Sequence, residues 1–188
     1  MAKRVKCLAN TRNWGGGAML FAQTNEDKLP WEGDKTDMRY NFPNAAWWAN
    51  GVPLQLSQKA YAQISGESGA KVPLPPQDNL FICPSAKTAP TAPYTFQDLN
   101  GQWQYFFFCY VLNSELDNAL PLSNPQVKLS RIRCPSAVVL MLEMRTLAKE
   151  LPATDPYYNE QLAGRHRSDW QRFAARHSKG GNLVYADG

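Results

Sequence analysis

The 188-residue sequence lacks several features that would assign it to a common class of protein. It has no run of about 18 apolar residues, so the chain as given does not span a membrane as a helix. Its first six residues are basic but are not followed by the apolar segment of a secretory signal peptide. A net charge of +4 is too small a bias to indicate nucleic-acid binding by itself.

The motifs of the common hydrolases and metalloenzymes are also missing. The chain has two histidines and contains no His-Glu-x-x-His, Gly-x-Ser-x-Gly or Cys-x-x-Cys. His166 with Asp169, or His177 with Asp187, could in principle hold a metal or exchange protons, as in a metal-dependent enzyme. Without a complete set of partners we favour a structural role, in which His177 and Asp187 bind backbone around a hairpin. The sequence therefore predicts a protein that is not an enzyme and has no cofactor.

Proline, glycine and aromatic residues are abundant. The chain has 14 Pro, 12 Gly, 6 Trp, 8 Tyr and 8 Phe, and its 44% hydrophobic and 19% charged residues are ordinary for a globular protein. Each internal proline costs a helix about 3 kcal/mol, which excludes an all-helical bundle. We expect one domain over residues 1–188, built from many short elements joined by turns.

The N-terminal segment has the pattern of a helix over residues 3–24. Its apolar residues have spacings compatible with one face, while the basic residues lie outward. The glycines at 15–17 weaken this helix by about 1 kcal/mol each, so it must rely on packing against the rest of the chain. The residues assigned to the apolar face are Val5, Leu8, Ala18 and Phe21.

The clearest strand patterns lie in the C-terminal half. Residues 102–112 are rich in aromatic and β-branched side chains, and residues 137–144 are almost continuously apolar, as in a central strand. Residues 172–177 and 182–185 flank Ser178-Lys179-Gly180-Gly181, which predicts a hairpin with a glycine turn. The predicted class is α+β.

The predicted domain has three parts. They are an N-terminal helix within residues 1–28, a loop-rich insert over 29–100, and an antiparallel sheet region over 101–188.

The chain has an even number of cysteines, four, which are widely spaced in a loop-rich sequence. They are Cys7, Cys83, Cys109 and Cys134. This pattern suggests two disulfides and an oxidising compartment. The alternative is that Cys109 and Cys134 are buried thiols in or beside apolar strands. Four cysteines allow three pairings, between which their positions do not choose.

Two further surface functions are consistent with parts of the sequence. Trp47 and Trp48 suggest an extracytoplasmic carbohydrate- or surface-binding module that uses exposed Trp and Tyr, although adjacent residues point in different directions and cannot form one flat platform. A C-terminal basic cluster interleaved with Trp170 and Phe173 could contact nucleic acid. A solvated basic face explains the same cluster, so no nucleic acid is expected. The basic residues are Arg165, Arg167, Arg172, Arg176 and Lys179.

The C-terminal residues resemble a known signature. His177 is followed by nine residues and then by Asp187-Gly188, which resembles the end of the prepilin-type processing-associated H-X9-DG family, relatives of type II secretion pseudopilins and type IV pilin-like proteins. Residues 2–10 with 21–25, 81–85 and 132–143 resemble three other landmarks of that family, in the same order. The motif residues are His177, Gly180, Gly181, Asn182, Asp187 and Gly188.

The resemblance implies a structural subunit of a bacterial filament or secretion system. Family members consist of an N-terminal helix packed on an antiparallel sheet, and their partners are other pilin-like subunits. A short leader and an apolar half-helix precede this part of the chain in the family. We therefore expect both to precede Met1 in a full-length precursor that is anchored in the inner membrane and extracytoplasmic.

The resemblance also implies two kinds of local site. Cys7 and Cys83 fall where such proteins often carry cysteine, so a Cys7–Cys83 bridge is expected to join the helix to the body, and Cys109–Cys134 to join two strands. Secretion pseudopilins often bind calcium in a loop near the C-terminus. The oxygen ligands available in residues 145–170 are Asp155, Asn159, Glu160 and Asp169.

Overall fold

The structure, a computed structural model, describes residues 2–34, 37–114, 116, 126–156, 158 and 170–188. These residues form an N-terminal helix, three shorter helices and two small antiparallel sheets, which confirms the α+β class. The helices are α1 (Ala2–Thr24), α2 (Met38–Asn41), α3 (Trp48–Gln55) and α4 (Tyr61–Ser68). The strands are β1 (Tyr94–Gln97), β2 (Trp103–Phe106), β3 (Tyr110–Leu112), β4 (Val139–Glu143) and β5 (Leu183–Tyr185).

Helix α1 confirms the helix predicted over residues 3–24. Cys7, Trp14 and Ala18 are buried at spacings that keep them on one helical face. That face packs on α3 and on the sheet that contains β4 and β5. None of the helices in the described residues is both long enough and apolar enough to cross a membrane.

The apolar face of α1 differs from the prediction at its N-terminal end. Ala18 and Phe21 are buried as expected, but Val5 is 62% exposed and Leu8 is 43% exposed. At about 100° per residue, the helix places Val5 nearly opposite Ala18 and turns Leu8 about 80° away from it, so these spacings do not define one face. Cys7 and Trp14 define the buried face instead, and Val5, Leu8 and Leu20 lie outside it.

Two glycines of α1 lie where neighbouring elements come closest. A Cβ at Gly15 would lie 2.7 Å from Val184 Cγ1 of β5, and a Cβ at Gly17 would lie 2.7 Å from Val52 Cγ1 of α3. These distances are shorter than ordinary van der Waals contacts. The helix therefore tolerates glycines that weaken it locally, because they allow β5 and α3 to pack against its backbone.

The larger sheet has the order β3-β4-β5, with all neighbours antiparallel. β4 is its central strand, which confirms the prediction for residues 137–144. The predicted strand over 102–112 is divided between two sheets: β2 pairs with β1, whereas β3 pairs with β4. The division falls at residues 107–109, where Cys109 N donates a hydrogen bond to Phe81 O (3.0 Å) instead of to a strand neighbour.

The predicted C-terminal hairpin is only partly formed. β5 pairs with β4, not with residues 172–177. His177 and Gly180 close a tight turn as an isolated bridge, and Ala174 N donates to Glu143 O (2.8 Å). Residues 174–182 therefore fold back against the end of β4, because the backbone groups of Glu143 bind both Ala174 and Asn182.

The core is largely aromatic. The Trp14 ring contacts Trp48 and Phe81 with centroids 5.3 and 5.2 Å apart, and Phe108 lies 5.0 Å from Trp48. Trp14 Nε1 donates to Leu80 O (3.0 Å), so this buried polar atom is satisfied. These rings join α1, α3 and the strand region into one core, which explains the aromatic excess of the sequence.

Candidate functional site

A buried polar cluster lies beneath the turn that follows His177. The His177 ring is held by Glu143, the last residue of β4, with 3.0 Å between Nε2 and Oε1. Cys83 Sγ lies 3.6 Å from the same nitrogen. Glu143 and Cys83 are fully buried and His177 is 8% exposed. The histidine of the C-terminal motif therefore binds side chains of the core, whereas the sequence predicted backbone contacts.

Glu143 accepts hydrogen bonds at both carboxylate oxygens. Arg176 Nη1 donates to Oε1 (3.1 Å), the oxygen that also faces His177. Asn182 donates to Oε2 through its backbone N (3.2 Å) and its side-chain Nδ2 (2.9 Å). A buried carboxylate without partners would cost several kcal/mol, and these contacts offset that cost. Asn182 thus belongs to the cluster, and its place in the motif has a physical reason.

Arg176 connects Glu143 to a second carboxylate, Glu150. Its Nε and Nη2 bind the two oxygens of Glu150, each at 3.0 Å, while Nη1 binds Glu143. Burial alone would lower the pKa of the guanidinium, but the neighbouring carboxylates, Glu150 foremost, raise it above its ordinary value. Arg176 therefore stays charged in the interior and balances part of the negative charge there.

The basic cluster predicted from the sequence is not a continuous solvated face in the described residues. The Arg176 side chain is 6% exposed and Arg172 is 7% exposed, whereas Lys179 is exposed. Arg165 and Arg167 lie outside the described residues. Arg176 acts inside the protein as a partner of two carboxylates.

The turn that carries the cluster differs from the predicted glycine turn. His177 N donates to Gly180 O (2.8 Å), and the two intervening residues, Ser178 and Lys179, have φ values of 54° and 68°. The left-handed backbone is therefore supplied by non-glycine residues, as in a type I′ turn. Gly181 is needed for another reason: a Cβ there would lie 2.5 Å from Ala174 O.

The two ends of the C-terminal motif lie in different environments. His177 is buried, whereas Asp187 and Gly188 are exposed after β5. They border a groove of about 470 Å³ between α1 and β5, which Leu8 and Arg12 also line. Ala186, just before them, is anchored by hydrogen bonds from its N to Pro135 O (3.0 Å) and Val138 O (2.8 Å). The Asp-Gly end therefore lies beside α1, while His177 is held by Glu143 at the end of β4.

The cysteines form one bridge. Cys7 of α1 is joined to Cys83, with their Cα atoms 5.1 Å apart, as the family resemblance implies. The expected Cys109–Cys134 bridge is wrong: both are free thiols, Cys109 fully buried and Cys134 exposed. Burial raises the pKa of the Cys109 thiol to about 12, so the alternative of a buried thiol holds for this residue. The same alternative placed Cys134 among the buried thiols, and this residue is exposed instead.

Four side chains of the cluster have atoms that bind metals. They are Cys7, Cys83, Glu143 and His177, whose ligand atoms all lie within 4.8 Å of one another. The sequence analysis missed this group because its members are far apart in the chain and share no short spacing. The usable signal was that Cys7, Cys83, Glu143 and His177 each occur in one of the four landmark segments.

Of the four calcium candidates, only Asp155 lies within the described residues. Asp155 lies in a turn, where its backbone N donates to Pro152 O (2.9 Å). Asn159, Glu160 and Asp169 lie outside the described residues, as does His166 of the enzyme alternative. The calcium site therefore stays a prediction.

The tryptophans proposed for a carbohydrate platform are core residues. Trp47 and Trp48 are both fully buried, with ring centroids 5.7 Å apart. They cannot stack on a sugar without unfolding of the core. Large exposed aromatics in the described residues lie elsewhere, at Tyr40, Trp103, Tyr158 and Tyr185.

Comparison of the chain with protein-family models, with curated proteins and with solved structures found no match.

Proposed function

We propose that this chain is the globular head of a non-enzymatic, pilin- or pseudopilin-like structural subunit of a bacterial filament or type II secretion-like system. In this proposal the protein is extracytoplasmic and anchored to the inner membrane by a helix that continues α1 toward its N-terminus. Its partners are other pilin-like subunits, and its mechanism is assembly. The order of the elements, with a long first helix packed on an antiparallel sheet, supports this proposal.

The main support for the proposal is that α1 has apolar side chains on its exposed face as well as on its buried face. One face is buried on α3 and on the sheet, while the other presents apolar side chains to solvent. Val5 is 62% exposed, and Leu8 and Leu20 are each 43% exposed. A helix rises about 1.5 Å per residue, so Val5 and Leu20 lie about 22 Å apart along the axis. Exposed apolar side chains along a helix are suited to packing against helices of neighbouring subunits.

Gly16 adds a second observation on the same outer face. A Cβ at Gly16 would have nothing within 4 Å, unlike a Cβ at Gly15 or Gly17. Packing within the described chain therefore does not require a glycine here, although glycine costs an exposed helix about 1 kcal/mol relative to alanine. Close approach of a neighbouring helix would give this glycine a function.

The experiment is expression from the native locus in the source bacterium, followed by membrane fractionation and electron microscopy. We expect the protein in the membrane fraction and in short filaments. Val5→Glu and Leu20→Glu should abolish the filaments and leave the head folded, because both side chains lie outside the core. Leu99→Glu is the matched control, since Leu99 is 60% exposed but lies away from α1, in the β1–β2 connection.

Two results would contradict the proposal. One is a full-length protein that is freely soluble in the cytosol. The other is filament formation that is unaffected by Val5→Glu and Leu20→Glu, or is lost equally with Leu99→Glu. Circular dichroism of the purified heads distinguishes lost assembly from lost folding.

A further inference from the structure

We propose that, when the Cys7–Cys83 disulfide is reduced, Cys7, Cys83, Glu143 and His177 form a four-ligand site for a tetrahedral divalent metal, Zn²⁺. The two sulfurs, one carboxylate oxygen and one imidazole nitrogen already lie within 4.8 Å of one another. All four side chains are buried, and they come from four separate segments of the chain. Two thiolates with an imidazole and a carboxylate are a ligand set suited to Zn²⁺.

Two of the distances between ligand atoms are close to those of a tetrahedral site, and the two sulfurs would move apart once their bond is reduced. With metal–ligand bonds of about 2.0–2.3 Å, neighbouring ligand atoms around Zn²⁺ lie about 3.3–3.8 Å apart. Cys83 Sγ and His177 Nε2 are 3.6 Å apart, and His177 Nε2 and Glu143 Oε1 are 3.0 Å apart. A proton on Nε2 allows the histidine to donate to the carboxylate. Zn²⁺ would take the place of that proton, with the two atoms moving slightly apart.

Zn²⁺ and Arg176 offset most of the buried negative charge around the site. Two thiolates and the Glu143 carboxylate carry three negative charges, of which Zn²⁺ neutralises two. The Arg176 guanidinium, whose Nη1 lies 3.1 Å from Glu143 Oε1, offsets part of the remainder and is shared with Glu150. Because uncompensated charge in a protein interior is costly, this cation favours a site with two thiolates and a carboxylate.

The surrounding groups orient the ligands. Asn182 binds Glu143 Oε2 through two N–H groups at 3.2 and 2.9 Å, which leaves Oε1 directed toward the histidine. Ser85 Oγ lies 3.8 Å from Cys7 Sγ, a distance at which its hydroxyl can donate to a thiolate. Metal sites in proteins depend on such outer contacts, because these fix the direction of the ligand atoms.

A surface cleft lies beside this region. Ser85 and Arg176, which contact Cys7 and Glu143 respectively, both line a cleft of about 180 Å³. A dithiol reductant that reaches the disulfide supplies two electrons and two protons, and is itself oxidised to a disulfide. The sulfur–sulfur bond breaks to give two thiols, and each thiol loses its proton when Zn²⁺ binds.

The consequence is that α1 stays attached to the body in both redox states. In the oxidised protein the attachment is the covalent Cys7–Cys83 bond, and in the reduced protein it is the metal. Oxidation by a disulfide oxidant returns two electrons to that oxidant and releases Zn²⁺. This inference does not depend on the proposed assembly function.

The test uses Co²⁺ as a spectroscopic substitute for Zn²⁺. The purified chain is divided into an oxidised sample and one reduced anaerobically with a phosphine, and each is titrated with Co²⁺. We expect the reduced protein to bind one Co²⁺ with tetrahedral d–d bands and sulfur-to-cobalt charge transfer, and Zn²⁺ to displace it. The oxidised protein should show neither band.

Variants identify the ligands. Cys83→Ser should reduce the charge-transfer band by at least half, because only Cys7 remains as a thiolate ligand, and His177→Gln should weaken Co²⁺ binding by at least tenfold. Cys134→Ser is the matched control, since Cys134 is an exposed free thiol outside the cluster, and this variant should keep one Co²⁺ per chain. Circular dichroism follows folding in every sample. If reduction unfolds the chain, Co²⁺ is expected to refold it.

The proposal is overturned if the reduced chain binds no Co²⁺ or gives an octahedral spectrum. It is also overturned if reduced, unfolded chain fails to refold with Co²⁺, or if Cys134→Ser reduces the band as much as Cys83→Ser. Loss of filaments in the assembly experiment would leave these results unchanged, so the two proposals fail separately.

Discussion

His177 Nε2 lies 3.0 Å from Glu143 Oε1, in the interior of the protein, although the two residues are 34 positions apart in the chain. This contact joins the C-terminal turn to the end of the central strand β4. The same carboxylate binds Arg176 and Asn182, so one acidic side chain organises the whole turn.

Replacement of this carboxylate should destabilise the protein. Glu143→Gln removes the carboxylate that accepts hydrogen bonds from Arg176 and Asn182 and contacts the His177 ring, and we expect the free energy of unfolding to fall by about 1–3 kcal/mol. Urea denaturation followed by tryptophan fluorescence measures the change. Glu67→Gln is the control, because Glu67 forms an exposed pair with Lys59, and its effect should stay below about 1 kcal/mol. Equal effects of the two substitutions would show that Glu143 does not have this organising role.

Adjacent glycines of α1 should respond in opposite directions to alanine. At Gly16 the added methyl group meets nothing within 4 Å, so Gly16→Ala should stabilise the head by roughly 0.5–1 kcal/mol. At Gly15 it would lie 2.7 Å from Val184, whose branched side chain has little freedom to move. We expect Gly15→Ala to be destabilising, since overpacking costs about 1–3 kcal/mol. Thermal unfolding of the two variants gives the comparison, and a stabilising Gly15→Ala would contradict the packing of α1 on β5.

Loss of a buried tryptophan should affect folding. Trp48 is fully buried against Trp14 and Phe108, so Trp48→Ala should lower the unfolding free energy by about 3–5 kcal/mol. Trp103 is 59% exposed, and Trp103→Ala should cost much less. Chemical denaturation of both variants measures their free energies of unfolding. A Trp48 variant as stable as the parent would mean that this residue is outside the core.

The β1–β2 turn should weaken in acid. Asp98 Oδ1 accepts hydrogen bonds from Asn100 N and Gln102 N, each at 2.9 Å, and Gln104 Nε2 donates to Oδ2 (2.9 Å). These donors, Gln104 foremost, lower the pKa of Asp98 below the ordinary value for aspartate. A lowered pKa means that the contribution to stability is present above the unfolded-state pKa and is lost as pH falls through the folded-state pKa.

An NMR titration of the Asp98 carboxyl tests this expectation. Its midpoint should lie below that of aspartate in an unfolded peptide, and the Gln102 amide signal should shift with the same midpoint. Asp98→Asn should remove the pH dependence of the Gln102 signal. A midpoint at or above the ordinary aspartate value would show that these hydrogen bonds do not favour the ionised form.

Much of the fold followed from local patterns. The helix over residues 3–24 was predicted from the spacing of its apolar residues, and the central strand within 137–144 from a short, almost continuous apolar run. The strand predicted over 102–112 was divided because its uniform aromatic composition carries no sign of where the chain passes from one sheet to the other. Residues 107–109, where the chain passes between the sheets, are all buried. Their composition therefore predicts burial but does not indicate which strands the flanking segments pair with.

The candidate site was less predictable. Family resemblance indicated Cys7–Cys83, and the structure contains that bridge, but it also implied Cys109–Cys134, whose members lie in different environments. Trp47 and Trp48 resembled a binding surface and are core residues. Whether an aromatic or a cysteine is buried depends on which segments pack over it, and a single sequence does not state that.

The sequence by itself determined the class of the protein: an N-terminal helix, short strands and many turns, because periodicity, proline and glycine act over a few residues. Only the tertiary structure decided what the residues of the C-terminal motif do. It places His177 on Glu143 and beside the Cys7–Cys83 bridge, and it leaves Asp187 exposed at the other end of β5. The physical reason is that hydrogen bonds and metal ligands are set by distances in space, and the segments that meet there are remote along the chain.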